Sequence, residues 1–410
     1  MIAATWPLLL GMGVLMLGAG LQGTLLGLRG TLEGFPTPII GVIMSCYYVG
    51  YLLGTFAAPR LVRKVGHIRV FAALAAVASA AILVQGTFIH PIPWAIMRLV
   101  SGVCFAGIYV VAESWLNDRA SRSNRGTLLA MYMLVLYIGL GSAQFLLNVA
   151  DPGTPTPFML VSMLISLAMV PIVGSAHQTP RASVPVKVRY RDLYRNSPLG
   201  VVAVTISGMI SSTIFAMGPV YARLSGLDTS GVATFMAVSI LAAVTTQYPV
   251  GRLSDRIDRR TVIAIVCTIA TLVASSIVMF PQMTHALFLL LAALFSGVVL
   301  TLYSLAVSHV NDKLEPGQMV AASSALLSLN GTAAAIGPIL AGALIAQFGP
   351  KAYFATLATL TGCLTIYDLW RKTRRSPVPA GQKGPFITAQ PQGMAGQILQ
   401  GTHLGEEAQR

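Results

Sequence analysis

The chain has 410 residues, of which 55% are hydrophobic and only 10% are charged, whereas a soluble domain carries about a quarter charged residues. This composition excludes the soluble enzyme folds and indicates an integral membrane protein. The formal net charge is +14, from 27 Lys and Arg against 13 Asp and Glu. In a soluble chain that excess would suggest nucleic-acid binding, so the positions of the basic residues decide what it means.

Apolar stretches recur along almost the whole sequence, each near the length of about 20 residues that crosses a hydrocarbon core as a helix. We predict an all-α fold, because unpaired backbone amides cannot face lipid. The six spans predicted in the first half are residues 6–28, 39–58, 70–89, 94–116, 127–149 and 158–175. The six predicted in the second half are residues 199–224, 231–250, 261–280, 286–307, 320–347 and 352–370.

The basic residues lie almost entirely on one side of these spans. Of the 27 Lys and Arg, only Arg29, Arg223 and Lys351 fall in loops on the other side, and only Arg98 falls inside a span. Because cytoplasmic loops accumulate Lys and Arg, we predict that both ends of the chain are cytoplasmic and that the protein lies in the inner (plasma) membrane. The positive charge then reflects topology, and we expect no nucleic-acid partner.

Composition also divides the chain into four regions. Residues 1–175 and 199–372 each hold six predicted spans and are predicted to form two helical bundles. Residues 176–198, which are basic and contain three prolines, are predicted to be a cytoplasmic linker between them. Residues 373–410 are rich in Gly, Pro and Gln and lose apolar periodicity, so we predict a disordered cytoplasmic tail.

Two segments of the first half are repeated in the second half at nearly the same separation. Residues 59–67, after the second span, are similar to residues 251–260, after the eighth. The pattern Ser-Gly-Val followed by Tyr, Ser and Asn-Asp occurs in residues 101–118 and again in residues 296–312. Two matches at one separation indicate a duplication of a six-helix unit.

These repeated segments resemble signatures of the major facilitator superfamily, and the resemblance covers about residues 5–372. Residues 251–260 are similar to its loop signature G-x-L-x-D-R-x-G-R-R, with Asp258 where the second Gly usually stands. The copy at residues 59–67 departs from it, with Pro59 in place of the leading Gly and Arg63 in place of the Asp.

Further segments strengthen this resemblance. The sequence RLVSG at residues 98–102 is similar to the family's R-x-x-x-G pattern, and Gly337-Pro338 with Gly342 is similar to its Gly-Pro packing motif. The sequence AESWLN at residues 112–117 resembles the YcaD-type branch of the family. The resemblance implies 12 transmembrane helices in two pseudo-symmetric six-helix bundles, and transport of a small solute.

The segment at 251–260 is the candidate conformational latch. Its Asp255 can accept hydrogen bonds from free amides at a helix N-terminus, and by the resemblance the partner is the start of the fifth span near Gly126. We assign Gly251, Arg256 and Arg259 to the same latch. The alternative is that the arginines only anchor this end of the helices on the cytoplasmic side.

Arg98 is the first candidate for solute binding, because a charge at that depth costs at least a few kcal/mol unless it is paired or hydrated. On a helix, Arg98, Tyr109 and Glu113 share one face. We predict that Arg98 binds an anionic or polar group, and the alternative is a structural hydrogen-bond hub. In the superfamily, spans 1, 4, 7 and 10 line the substrate path, which adds Gln22 and Tyr303 to Arg98 and Tyr109 as candidate binding residues.

Two residues are candidates for proton coupling. Glu113 lies within a span, where desolvation favours the neutral form of a carboxyl group. Its alternative role is an interfacial residue that pairs with Arg119 or Arg125. His309 lies near the inner end of the tenth span and can relay protons, whereas a single interfacial histidine also fits a structural role.

The sequence therefore predicts a secondary active transporter that moves a small solute by alternating access, coupled to the proton gradient, as a monomer in the lipid bilayer. It contains no P-loop, no metal-spaced His and Cys cluster and no nucleophile elbow, so we expect neither an enzyme nor a cofactor or metal. The alternative is a non-transporting membrane sensor or scaffold of the same fold.

Overall fold

The computed structural model describes residues 2–119, 125–174, 190–314, 319–374, 384 and 386. Every regular element in these ranges is a helix, which confirms the all-α prediction. The first-half helices are α1 (Ile2–Leu32), α2 (Thr37–Val65), α3 (His67–Thr87), α4 (Pro91–Arg119), α5 (Arg125–Ser142), α6 (Thr156–Leu167) and α7 (Met169–Gly174). The others are α8 (Tyr190–Asn196), α9 (Pro198–Leu224), α10 (Thr229–Arg256), α11 (Arg259–Met279), α12 (His285–Val299), α13 (Leu302–Asn311), α14 (Met319–Phe348) and α15 (Ala352–Lys372).

The predicted spans correspond to these helices. Among the described residues, eleven helical segments are long and apolar enough to cross a membrane. The remaining predicted span corresponds to α15, which is 21 residues long but contains Asp368 and several threonines that lower its hydropathy. Two predicted regions lie mostly outside the described residues: the linker is described only from Tyr190 onward, and the tail only at residues 373, 374, 384 and 386.

Three of the spans are not continuous α-helices. The sixth is divided into α6 and α7, the fifth continues from α5 as the 3-10 helix Ala143–Asn148, and the tenth breaks at Leu300 and Thr301. At the last break, Thr301 Oγ1 donates to the carbonyl of Val298 at 2.7 Å. Thr246 Oγ1 of α10 donates to the carbonyl of Gly297 at 2.6 Å. These hydroxyls donate hydrogen bonds to backbone carbonyls beside the break, because a carbonyl in an apolar environment needs a hydrogen-bond partner.

Helices α2 and α10 extend further than predicted. Helix α2 continues to Val65, and Gly66, with φ of +91°, ends it in a conformation that favours glycine. Helix α10 continues to Arg256. The expectation that Asp255 lies beyond the eighth helix is therefore wrong: Asp255 lies in the last turn of α10. A helix keeps its backbone hydrogen bonds as it leaves the apolar layer, so hydropathy alone underestimates its length.

The chain divides into two compact units. The first consists of Met1–Ser183, Ser212–Ala237 and Ala335–Pro350. The second consists of Val184–Ser211, Val238–Ala334 and Lys351–Arg410. Helices α9, α10 and α14 each contribute one end to the first unit and the other end to the second.

In the first unit, small residues bring helix backbones into direct contact. A Cβ atom on Gly41 of α2 would collide with the carbonyl of Pro338 in α14, and one on Gly342 would lie 2.6 Å from the carbonyl of Thr37. This confirms the packing role expected for the Gly-Pro motif of α14. Close approach of this kind adds van der Waals contact, which drives helix association in lipid.

Helices α2 and α4 approach each other in the same way. A Cβ atom on Gly50 would collide with the carbonyl of Leu99, and one on Gly54 would lie 2.6 Å from the carbonyl of Val103. These two glycines are therefore packing residues, which agrees with the rule that small residues four positions apart allow close helix approach. Gly23 of α1 differs, because a Cβ atom there would meet nothing within 4 Å.

In the second unit, polar side chains join helices. Asn330 of α14 donates from Nδ2 to the carbonyl of Val204 in α9 at 3.0 Å and to Ser207 Oγ at 3.2 Å. Gln247 of α10 donates from Nε2 to Ser304 Oγ of α13 at 2.9 Å. Such hydrogen bonds contribute roughly 0.6 kcal/mol each in membrane proteins. They hold the helices that carry the charged cluster described below.

Candidate functional site

Arg98 lies in α4 in the first unit, and only 5% of its surface is exposed. Its guanidinium carbon stands 4.5 Å from the ring centroid of Tyr47 in α2. The aromatic face attracts the cation without occupying its N–H groups. Among the described residues, Arg98 Nε has no hydrogen-bond partner. This arrangement holds a positive charge in the membrane and keeps a donor available.

The contact between Arg98 and Tyr47 depends on the close packing of α2 and α4. A Cβ atom on Gly102, one turn after Arg98, would collide with the carbonyl of Tyr47 and lie 2.7 Å from the amide nitrogen of Tyr51. Further aromatic rings continue the contact along the two helices, since Tyr51 and Tyr109 have ring centroids 6.2 Å apart. The glycine therefore sets the position of the aromatic ring over the charge.

Gln22 of α1 is buried and contacts side chains of two neighbouring helices. Its Nε2 lies 3.5 Å from Gln85 Oε1 in α3 and 3.4 Å from Ser101 Oγ in α4. Gln85 also exchanges hydrogen bonds with Trp94, whose Nε1 donates to the Gln85 carbonyl at 2.9 Å. The predicted binding residue Gln22 therefore takes part in contacts between helices.

Glu113 lies further along α4 and is almost fully buried, at 3% exposure. Tyr51, Tyr109 and Tyr132 lie close enough to interact electrostatically with its carboxyl group. Tyr109 donates its hydroxyl to Met16 Sδ at 3.2 Å. Glu113 is therefore buried among tyrosines and does not occupy an exposed position at the end of the helix.

Arg119 and Arg125 were the alternative partners predicted for Glu113. Both lie outside the residues whose side chains the structure describes. The choice between proton coupling and a pairing role for Glu113 therefore stays a prediction.

Tyr303 and His309 lie on α13 in the second unit, and both are buried. The His309 ring interacts electrostatically with the side chains of Lys313, Asp258, Arg260 and Arg259, so three of these four neighbours are cationic. A proton on His309 would add a positive charge beside three others. This environment opposes the proton relay that the sequence suggested for this histidine.

The latch residues stand where α10 ends and α11 begins. Arg259 is buried, and its Nε lies 2.9 Å from Asp312 Oδ2, just after α13. Its Nη2 lies 3.9 Å from Asp255 Oδ1. Arg256 is exposed, and the predicted partner Gly126 lies outside the residues whose side chains are described. Sequence reasoning missed Asp312 as a member of this cluster, although the repeated Asn-Asp pair was the available signal.

Asp258 stands where the family signature has a glycine, and the structure shows what its side chain does there. It is the N-cap of α11, and its carboxylate accepts from Arg260 N at 3.1 Å and from Arg260 Nη2 at 2.8 Å. Burial raises the pKa of this carboxyl group, but the hydrogen bonds from Arg260 outweigh that effect, so the pKa lies below its usual value. A carboxylate at an N-cap satisfies free amides and opposes the positive end of the helix.

Asp368 of α15 is a second buried acid that sequence reasoning missed. Its exposure is 0%, and neither carboxylate oxygen has a hydrogen-bond partner among the described residues. Arg260 and Lys372 interact with it electrostatically. The signal was present, since Asp368 is the only acidic residue in the predicted span 352–370.

Replacing Asp368 with asparagine is expected to raise the melting temperature of the purified protein. A buried carboxyl group without hydrogen bonds is destabilising by about 1–3 kcal/mol, and the amide is uncharged and nearly isosteric. The measurement is thermal unfolding in detergent, with the exposed Asp228→Asn as the control for the same chemical change. A lower melting temperature for Asp368→Asn alone would mean that attraction from Arg260 and Lys372 exceeds the cost of burial.

The eleven long apolar helices among the described residues, together with the buried cation of α4, define a polytopic α-helical membrane protein. The sequence model of the Major Facilitator Superfamily matches residues 8–325 and 233–400. The chain belongs to this superfamily and is a multi-pass membrane transporter.

Two relatives are similar over most of their length. An uncharacterized MFS-type transporter of Enterobacter sp. (strain 638) is 29% identical over 354 residues, which cover 85% of this chain and 90% of the relative. The uncharacterized MFS-type transporter YcaD of Escherichia fergusonii is 29% identical over 349 residues, with the same shares covered. These matches agree with the YcaD-type branch indicated by the sequence.

Solved structures share the fold. The nucleoside transporter NupG superimposes with a TM-score of 0.75 at 12% identity and covers 90% of this chain and 98% of its own. A bacterial homolog of the human lysosomal transporter Spinster, in an inward-facing and occupied conformation, gives a TM-score of 0.70 at 13% identity, with 92% and 97% covered. At this identity the likeness concerns the fold alone.

Proposed function

We propose that this protein is a secondary active transporter that moves a small anionic or polar solute across the plasma membrane by alternating access, coupled to protons. The observation that carries the proposal is Arg98, a buried cation stacked on Tyr47 with a donor that has no partner among the described residues. A charge within a membrane span is costly, so its presence favours recognition of a polar solute group.

The chemistry around Arg98 also limits the solute. The guanidinium group presents a planar fork of donors that suits a carboxylate or phosphate group. The neighbouring rings of Tyr47, Tyr51, Tyr109 and Phe105 favour a solute with an apolar or aromatic portion. We therefore assign the solute to the class of small organic acids. Tyr109 is part of this aromatic surface, and we keep Gln22, which contacts Ser101 of α4, as a candidate binding residue.

A ligand panel followed by a transport assay tests this proposal. Small organic acids, nucleosides and sugars are added one at a time to the detergent-purified protein, and a ligand that binds the folded form raises its melting temperature. Each hit is then measured for uptake into proteoliposomes. Stabilisation by organic acids with uptake is the expected result. Stabilisation without uptake would indicate a sensor of the same fold, and stabilisation only by uncharged solutes would contradict the assignment of Arg98.

We assign proton coupling to Glu113 rather than His309, because Glu113 is buried among tyrosines whereas His309 is surrounded by cations. A carboxyl group in that setting can change its protonation state when water reaches it in one conformation and not in the other.

Glu113→Gln is expected to remove the dependence of uptake on a pH gradient while solute binding remains. The amide keeps the shape of the side chain but cannot release a proton. Uptake of a hit from the panel is measured with and without an imposed gradient, and binding by thermal stabilisation. The conservative control is His309→Gln, which is expected to retain the response to the gradient. If the Glu113→Gln protein still responds to the gradient, Glu113 is not the coupling group.

Alternating access requires contacts that hold one conformation, and we assign this role to Gly251, Asp255, Arg256 and Arg259. The ion pair between Arg259 and Asp312 supports the assignment, because it fixes the guanidinium beside Asp255. The distribution of basic residues supports cytoplasmic positions for this cluster and for both ends of the chain. Reporter fusions at the two ends test the orientation, and opposite locations would contradict it.

A further inference from the structure

The described residues of the C-terminal segment, Gly384 and Phe386, lie against the cluster formed by Asp255, Arg259 and Asp312. The N–H of Gly384 donates to Asp312 Oδ1 at 3.1 Å, and the N–H of Phe386 donates to Asp255 Oδ1 at 2.8 Å. The Arg259 guanidinium donates to the carbonyl of Gly384. All three contacts use the main chain of the segment, and each is strengthened by a charge on the cluster.

The contacts use the N–H and C=O of Gly384 and the N–H of Phe386. In an extended segment the N–H and C=O of one residue point to the same side as the N–H two residues later, whereas the residue between them points away. Here Gly384 uses both groups and Phe386 uses its N–H. Pro385 between them has no N–H to leave unsatisfied, and a residue before proline favours an extended conformation. The sequence Gly-Pro-Phe therefore suits this contact.

The side chain of Phe386 supplies a contact that the main chain cannot. A Cβ atom on Gly251 would lie 2.7 Å from Phe386 Cδ1 and 3.3 Å from its Cγ. The ring therefore rests directly on the backbone of α10, where only glycine leaves space. The leading glycine of the loop signature is part of the surface that receives the aromatic ring.

Chain length also agrees with this contact. Gly384 lies twelve positions after Lys372, the end of α15, and a stretch of that length can span up to about 40 Å.

We propose that Gly384 and Phe386 are a built-in ligand of the Asp255, Arg259 and Asp312 cluster and regulate the conformational latch. The docked segment donates a backbone N–H to Asp255 Oδ1, which is the kind of donor expected from a helix N-terminus in the latched state. The segment and the latch partner therefore compete for one carboxylate. The regulatory part rests on the proposed function, whereas the docking itself does not.

Cysteine cross-linking tests the docking in the full-length protein. A Cβ atom on Gly251 would lie 3.3 Å from Phe386 Cγ, so the Cβ atoms of residues 251 and 386 lie near the range that a disulfide bridges. Gly251→Cys with Phe386→Cys, in a background with the exposed Cys363 replaced by serine, is expected to cross-link within one chain on mild oxidation. The matched control pairs Phe386→Cys with Leu253→Cys, two residues along the same helix and exposed.

The expected cross-linked fraction exceeds that of the Leu253 control by about tenfold, because a disulfide requires both short distance and correct direction. Equal fractions in the two proteins would overturn the docking. A cross-link that joins two chains, seen as a dimer on a denaturing gel, would overturn a contact made within one chain.

Transport measurements test the regulation. Phe386→Pro removes both the donated N–H and the ring, and Phe386→Ala removes the ring alone. Both are expected to change the rate of uptake of a panel hit and the cysteine accessibility of the helix ends, with the larger effect for proline. If the cross-link forms but both variants transport like the wild type, the regulatory role is wrong. If the cross-link forms but neither the wild type nor the two variants transport any solute, the docking stands and the proposed function fails.

Discussion

Arg98→Ala is expected to abolish transport of the solute, with a loss of at least about thirtyfold. Removing one partner of a buried charged contact typically costs about 2–5 kcal/mol, which corresponds to a factor of about thirty or more. The guanidinium lies over the Tyr47 ring, so alanine removes both the charge and the planar group that we propose binds the solute. The measurement is uptake of a panel hit into proteoliposomes at equal amounts of inserted protein.

Two further measurements separate binding from a structural role for Arg98. A buried charge is destabilising by itself, so a binding role predicts that Arg98→Ala leaves the melting temperature unchanged or raises it. A structural hydrogen-bond hub predicts a lower melting temperature instead. Arg98→Lys is the matched control, because lysine keeps the charge but has neither the planar stack nor the fork of donors. It is expected to recover only part of the uptake, and full recovery would show that charge alone suffices.

Gly102→Ala is expected to cause the largest loss of folded protein among the single substitutions considered. Its new methyl group would collide with the backbone carbonyl of Tyr47, and a backbone atom in a packed helix cannot move aside cheaply. Overpacking in a dense interior costs about 1–3 kcal/mol, and here it also separates α2 from α4. The measurement is the fraction of monodisperse protein after detergent extraction, together with its melting temperature.

Gly23→Ala is the matched control for this prediction, because the same methyl group would meet nothing within 4 Å. Alanine is the better helix former by about 1 kcal/mol, so this variant is expected to fold as well as the wild type or better. Similar losses for Gly102→Ala and Gly23→Ala would mean that the effect comes from helix propensity or membrane insertion. It would then say nothing about the approach of α2 to α4.

The comparison of Gly23 with Gly50 illustrates a limit of sequence reasoning. Both glycines have a second glycine four residues later, so the sequence predicts close packing at both. Only Gly50 lies against another backbone, because packing depends on which helix stands opposite. Spacing identifies a face of small residues but does not identify the neighbour. The break between α12 and α13 is a second example, since no proline marks it and hydroxyls of Thr246 and Thr301 satisfy the carbonyls there.

The buried acidic residues also show that the sequence does not identify the spatial neighbours of a side chain. The sequence singled out Glu113 as the carboxylate with membrane depth, and the structure finds it almost fully buried. Asp368 is equally buried, although it lies only two residues before the end of the predicted span 352–370 and the sequence analysis did not single it out. Asp312 follows α13 in the sequence, and only its ion pair with Arg259 reveals that it belongs to the latch cluster.

By itself, the sequence determined the class of protein and the positions of its long apolar helices. These follow from hydropathy and charge, which are properties of local segments in contact with lipid or water. The tertiary structure decided that Tyr47 covers Arg98, that Asp312 and the C-terminal Gly384 and Phe386 meet at one cluster, and that Asp368 is buried. Those facts depend on contacts between residues far apart in the chain, and no local pattern specifies which distant segments come together.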